Sequence, residues 1–136
     1  MAYTEWNPEW ATGNELIDSQ HQQLIAAVNS LFDAQRGGKG RQEVERTMDF
    51  LVEYTIKHFN DEENLQEKSE YPHRVEHKQI HADFKEVAQN LAYKLHRDGP
   101  TDELVGHVCV TIGRWIINHI KNEDFKVAAH VRLCEN

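Results

Sequence analysis

The chain reads as an all-α protein, an antiparallel up-down-up-down four-helix bundle with an extended N-terminal arm. Three observations predict this. Apolar residues recur every three or four positions in four separate stretches, glycine or proline breaks stand between those stretches, and no segment alternates apolar and polar residues as a strand would. The 136 residues suit a single domain spanning 1–136, because single domains peak at roughly 100–150 residues.

The arm occupies residues 1–17, where Pro8 and Gly13 rule out a continuous helix. Trp6 and Trp10 are expected to anchor it on the bundle. The bundle and a short C-terminal helix are expected over 18–131. Asp18 is a plausible N-cap for the first helix, whose stripe Leu24, Ile25, Val28, Leu31 and Phe32 runs to Gly37-Gly38. After Gly40, Val44, Met48, Leu51, Val52, His58, Phe59 and Glu62 share one face of the second helix. Tyr71-Pro72 opens the third, with proline at a first helical position, and His77, Ile80, His81, Phe84, Val87, Leu91 and Leu95 line it up to Asp98-Gly99-Pro100. Thr101 can cap the fourth, with Leu104, Val108, Ile112, Trp115, Ile116, His119 and Ile120 facing inward. A short helix is expected from Asp124 to Val131.

Composition excludes several functions. A net charge of −8 repels nucleic acid and anionic membrane surfaces. The N-terminus lacks a basic start followed by an apolar core, and no stretch approaches the roughly 20 apolar residues of a membrane span, so a cytoplasmic protein is expected. Cys109 and Cys134 are too isolated for a thiolate metal site and are read as free thiols.

Histidine is the outlier, with nine in the chain. Residues four apart on a helix share a face, so His58 with Glu62, and His77 with His81, are pairs able to grip one site. His21 lies on the first helix's stripe and His119 on the fourth's, with Asp124 five residues later, where the helix is expected to end and let the carboxylate turn back. Burying so many polar groups without a metal would leave several unpaired. Imidazole and carboxylate without thiolate suit iron, manganese or zinc. Seven such residues are too many for one ion. If Glu62 and Asp124 both bridge, five imidazoles divide unequally over two ions. With one solvent-derived bridge, one ion is then six-coordinate and the other retains an open position. The Glu-x-x-His pattern of ferritin-like di-iron oxidases is absent, since Thr55, Arg74 and Ile116 stand three residues before His58, His77 and His119.

In order, the pattern is His, His-x3-Glu, His-x3-His and His-x4-Asp, carried here by Asp18-Ser19-Gln20-His21, His58-Phe59 through Glu62-Glu63, His77 with His81 after Tyr71-Pro72, and Trp115-Ile116-Ile117-Asn118-His119-Ile120 ahead of Asp124. It resembles the hemerythrin family over essentially the whole chain. The resemblance implies a di-iron centre with a solvent-derived oxo or hydroxo bridge. His77, His81 and His119 would bind the saturated iron, His21 and His58 the open one, and Glu62 and Asp124 would bridge. Dioxygen would bind reversibly at the open iron. Such chemistry needs a dry wall, for which Leu24, Phe59, Trp115, Ile116 and Ile120 are the candidates as an oxygen pocket, Ile116 standing where many relatives are expected to carry leucine.

The function expected is dioxygen storage, transport or sensing without turnover, with delivery to an oxygen-consuming enzyme as one use. The alternatives are a di-iron enzyme acting on peroxide, nitric oxide or ferrous iron, and a sensing module of a larger signalling protein. A chain that begins at Met1 and ends just past the motif set is the expectation for a free-standing protein. Asp18 is a candidate acceptor for the remote N–H of His21 as well as a cap. His73, His96, His107 and His130 are read as surface or supporting residues, and Asp61 and Glu63 as solvated charge flanking Glu62.

Overall fold

A computed structural model of the chain describes residues 5–134; residues 1–4 of the expected arm, and 135 and 136, lie outside the described residues. The helices are α1 (Glu15–Arg36), α2 (Arg41–Lys68), α3 (Arg74–Asp98), α4 (Asp102–His119) and α5 (Phe125–Cys134), with a π-helical turn, Ile120–Asp124, joining the last two. Among the described residues there is no strand. Short connections make sequential helices antiparallel neighbours, α1 against α2, α2 against α3 and α3 against α4, and α4 closes the bundle against α1.

The arm is not wholly extended. Pro8–Trp10 forms one 3-10 turn, started by Asn7, whose side chain accepts from the Glu9 amide. Trp6 and Trp10 meet edge to face at 5.8 Å and both pack on the main core, as anchors should. The first helix begins earlier than Asp18. Asn14 is its cap, accepting from Ile17 N at 3.0 Å, while Asp18, one turn in, accepts from Thr12 N, Thr12 Oγ1 and Gly13 N at 2.8, 2.8 and 3.1 Å. Asp18 therefore fastens the arm, and neither caps α1 nor supports His21.

Gly40 and Gly99, which flank the turns at the far end of the bundle, have φ of 94° and 86° with ψ near 159° and 156°, a region that only glycine occupies without strain. Pro72 falls in the turn before α3, whose cap is His73 and whose first residue is Arg74; the proline is not at a first helical position. Thr101 does cap α4, accepting from Leu104 N at 3.1 Å. On α3 the inward residue at the middle turn is Ala88, 2% exposed, and Val87 points outward at 43%.

The main core joins all four bundle helices, with Val28, Leu31, Met48, Leu51, Leu95 and Val108 fully enclosed. Cys109 lies within it, and burial pushes its thiol up to about 12. A second, smaller cluster of Ile17, Tyr71, Val127, Ala128 and Val131 docks α5 on the start of α1, where Arg132 also donates to Thr12 O at 2.9 Å. The C-terminal helix thus runs on to Cys134, past the expected end at Val131. No described helix is long and apolar enough to cross a membrane.

Candidate metal centre

Each bundle helix contributes to one polar cluster inside the core. Its seven residues, His21, His58, Glu62, His77, His81, His119 and Asp124, are those picked out by spacing, and none is more than 6% exposed. They form two overlapping groups whose ligand atoms lie within 4.8 Å of one another: Glu62, His77, His81, His119 and Asp124 in one, His21, His58, Glu62 and Asp124 in the other.

The two carboxylates belong to both groups because their oxygens face opposite ways. Glu62 Oε1 lies 2.7 Å from His77 Nε2 and 3.3 Å from His81 Nε2, while Oε2 faces His58 Nε2 at 3.6 Å. Asp124 Oδ1 lies 3.1 Å from His119 Nε2 and 3.3 Å from His77 Nε2, while Oδ2 meets His21 Nε2 at 2.7 Å. Three imidazoles stand on one side and two on the other.

Asp124 reaches this position by a route that periodicity misjudges. At roughly 100° per residue, a position five beyond His119 points about 140° away on an α-helix. The helix does not end there as expected. It widens into the π turn, in which Phe125 N bonds to Ile120 O five residues back, and the fifth residue comes round to the inner face.

Several observations fit a pair of cations. His119 Nε2 lies 3.0 Å from His77 Nε2 and 3.1 Å from His81 Nε2. Imidazole lone pairs at that separation repel unless a proton or cation sits between them, and an ion about 2.1 Å from two ligands at right angles needs them about 3.0 Å apart. Glu62 Oε1 and Oε2 and Asp124 Oδ1, all buried, face imidazole nitrogens without a well-aligned hydrogen bond to any of them, a costly arrangement without positive charge. Burial and Asp124 push the Glu62 carboxyl upward, but the nitrogens of His77 and His81 prevail and hold it below the usual range. Burial likewise opposes ionisation of Asp124, and His119, His21 and His77 hold it well below that range. Burial drives His58 down to about 4. His77 is opposed by burial too, yet the flanking Asp124 and Glu62 raise it to about 9. Two carboxylates held as anions are the form in which they ligate a hard or borderline cation.

Three residues around the cluster were not singled out by spacing. His58 Nδ1 meets Gln20 Oε1 at 2.7 Å, and His81 Nδ1 meets Glu63 Oε2 at 2.9 Å, so Glu63 is not merely solvated charge. Burial pushes the Glu63 carboxyl up, and His81 outweighs it to leave the group lowered. Asp61 is the third, accepting from Gln20 Nε2 at 2.7 Å. The signal available was position alone, Gln20 beside His21 and Glu63 beside Glu62; which imidazole each would meet depends on how the helices face.

The apolar candidates divide into two kinds. Phe59 stacks on His81 at 3.8 Å, and Trp115 on His119 at 4.4 Å, almost parallel in both cases. Trp115 continues into a stack with Phe84 at 3.9 Å. Leu24, Ile116 and Ile120 are buried in the same core without a ring contact to define their place. His73, His96, His107 and His130 stay outside the cluster; His96 joins Asp49 and Glu45, and His130 bonds Ser69 O.

The family model described as the hemerythrin HHE cation binding domain matches residues 12–131. Among curated proteins, a bacteriohemerythrin of Pseudomonas aeruginosa is 35% identical over 91% of this chain and 78% of its own length. The bacteriohemerythrin of Methylococcus capsulatus is 30% identical, over 91% of this chain and 93% of its own. A myohemerythrin of Sipunculus nudus is 29% identical over 89% and 88%. A wild-type hemerythrin crystal structure superposes with a TM-score of 0.84 at 26% identity, covering 96% of this chain and 98% of that one.

Proposed function

This chain belongs to the hemerythrin family, and from that premise we propose that it is a single-domain non-haem di-iron protein that binds dioxygen reversibly for storage, transport or sensing. The observation that carries the reading is the division of the two carboxylates, each with one oxygen toward the three-histidine side and one toward the two-histidine side. That division supplies two unequal places. The side with fewer imidazoles would leave a coordination position for an exogenous ligand.

Iron held here would supply a redox-active place for dioxygen together with the electrons for reversible binding. The chain's own residues do the rest. His77, His81 and His119 would hold one ion, His21 and His58 the other, and Glu62 and Asp124 would tie the pair. Acceptors on the remote nitrogens, Gln20 for His58 and Glu63 for His81, keep a proton at Nδ1 and leave each Nε2 lone pair aimed inward. Phe59 and Trp115 lie flat against His81 and His119, and with Leu24, Ile116 and Ile120 they would form an apolar wall against water and stray protons. The family's chemistry with this donor set favours a binding protein over an enzyme.

The test is to load the protein anaerobically with ferrous iron, count iron per chain, and follow the absorption spectrum through repeated aeration and deoxygenation. Two irons and an oxygenated spectrum that forms and disappears over many cycles is the result expected. One-way bleaching to the oxidised state within a cycle would replace carriage by turnover or sensing.

A further inference from the structure

One line of side chains leads from the cluster to the surface. His58 Nδ1 meets Gln20 Oε1, Gln20 Nε2 donates to Asp61 Oδ2, and Lys57 Nζ donates to the same oxygen at 2.9 Å. Gln20 is 4% exposed, whereas the side chains of Asp61 and Lys57 are 33% and 61% exposed. The line therefore starts in the core and ends at water. Gln20 comes from α1 and the other three from α2, so it also locks the two helices in register.

The chemistry of each atom fixes the next. An ionised carboxylate can only accept, so the NH2 end of Gln20 must face Asp61 and its carbonyl must face His58. A carbonyl can only accept, so His58 carries its proton on Nδ1 and directs the Nε2 lone pair inward. Lys57 in turn holds Asp61 in place as acceptor. The amide thus has no freedom to flip, which would bring two N–H groups face to face at His58.

Across the cluster, His81 is held in the same way by a different acceptor, the carboxylate of Glu63. A carboxylate draws on the imidazole proton more strongly than a neutral amide does, makes the ring a better electron donor, and favours the more oxidised ion beneath it. The two halves of the cluster differ in this respect as well as in histidine count.

We propose that Gln20, anchored by Asp61 and Lys57, is a positioning residue that acts through His58 to keep the two-histidine ion more easily reduced than its neighbour. The inference rests on the di-iron reading above. A neutral acceptor at His58 draws that ion toward the oxidised state less than a carboxylate there would, while still fixing the ring, and so favours the ferrous form that ligand binding needs over what a second Glu63-like acceptor would allow.

The test compares wild type, Gln20→Met, and the double variant Gln20→Glu with Asp61→Asn, in which the new carboxylate accepts from His58 and still has an amide donor behind it. Each is loaded with ferrous iron; iron per chain, midpoint potential, and the exchangeable imidazole N–H resonances are measured. In Gln20→Met the potential rises, one N–H resonance is lost to exchange, and affinity for the second iron falls about 10–100-fold. In the double variant the potential falls and the resonance is kept. Opposite shifts are the signature, because a residue that only fills space would move both variants the same way. Shifts of one sign, or none, with two irons bound would overturn the inference and leave the di-iron reading standing. Should Gln20→Met fail to fold, a downward shift in the double variant alone is the deciding result, and its absence refutes the proposal. Fewer than two irons in wild type would remove the di-iron reading and this inference with it.

Discussion

His119 and Asp124 stand five residues apart and still meet, Nε2 to Oδ1 at 3.1 Å, because a single π turn separates them. A regular α-helix would aim that carboxylate away from the cluster. The widened turn is thus what lets one helix supply both an imidazole and a carboxylate shared by the two sides, and such turns recur at functional sites.

Asp124→Ala follows from that geometry. It removes the oxygens facing His119 and His77 on one side and His21 on the other. Bound iron should drop from two ions per chain to one or none, with the helical circular dichroism signal retained. A variant that kept both irons and an oxygenated spectrum would remove Asp124 from its bridging role.

Iron should also stabilise the fold. The oxygens of Glu62 and Asp124 that lack a well-aligned hydrogen bond and the facing Nε2 atoms are a burden on the metal-free protein. A ligand bound only by the native state adds about 2.7 kcal/mol at a free concentration 100 times its dissociation constant. Thermal melting of the anaerobic protein should therefore shift upward with ferrous iron and return when a chelator strips it. A midpoint indifferent to iron would contradict the cluster's reading as a metal centre.

The four helices and the seven clustered residues were legible because burial leaves a period in the sequence: Val44, Met48, Leu51, His58 and Glu62 recur along one stripe. Thr101 was legible as a cap for a local reason, since its hydroxyl needs only an amide three residues on. Asp18 misled on the same local grounds. Asn14 fits a cap equally well, and the choice was settled by Thr12 and Gly13, which the arm folds back onto Asp18. The π turn left a trace, the five-residue step from His119 to Asp124 where an inward stripe needs three or four, and a helix end and a widened turn both accommodate such a step. Gln20 and Glu63 left none beyond adjacency, because their partners lie on other helices or a different part of the chain, and only the rotation of packed helices decides who meets whom.

Ile116 tests the apolar wall. It is 3% exposed, one turn before His119. Ile116→Ala should cost about 2–5 kcal/mol of stability, as large-to-small core changes do. It should also shorten the life of the oxygenated form by admitting water, with iron content unchanged. Denaturant titration and the decay of the oxygenated spectrum check the two effects separately. Decay kinetics equal to wild type would take Ile116 out of the pocket.

Away from the His/Glu/Asp cluster, His96 should make stability depend on pH. Its Nε2 lies 2.7 Å from Asp49 Oδ1 and its Nδ1 3.2 Å from Glu45 Oε1, while Arg41 bonds both Glu45 and His96 O. Two carboxylates at two ring nitrogens call for an imidazolium, since only that form donates from both. The Asp49 bond is the main cause that raises His96 above its ordinary value. A group whose folded-state value is raised stabilises fully below its unfolded value, about 6.5, and loses that contribution as pH climbs through the folded one. With the His96 side chain 42% exposed, about 0.2–1 kcal/mol is the range for such a pair. Urea unfolding of wild type and His96→Gln should differ most at about pH 6, below the unfolded value, and converge as pH rises through the raised folded one; a gap that widens with pH would show that the neutral ring, not the imidazolium, joins α2 to α3 at this end of the bundle.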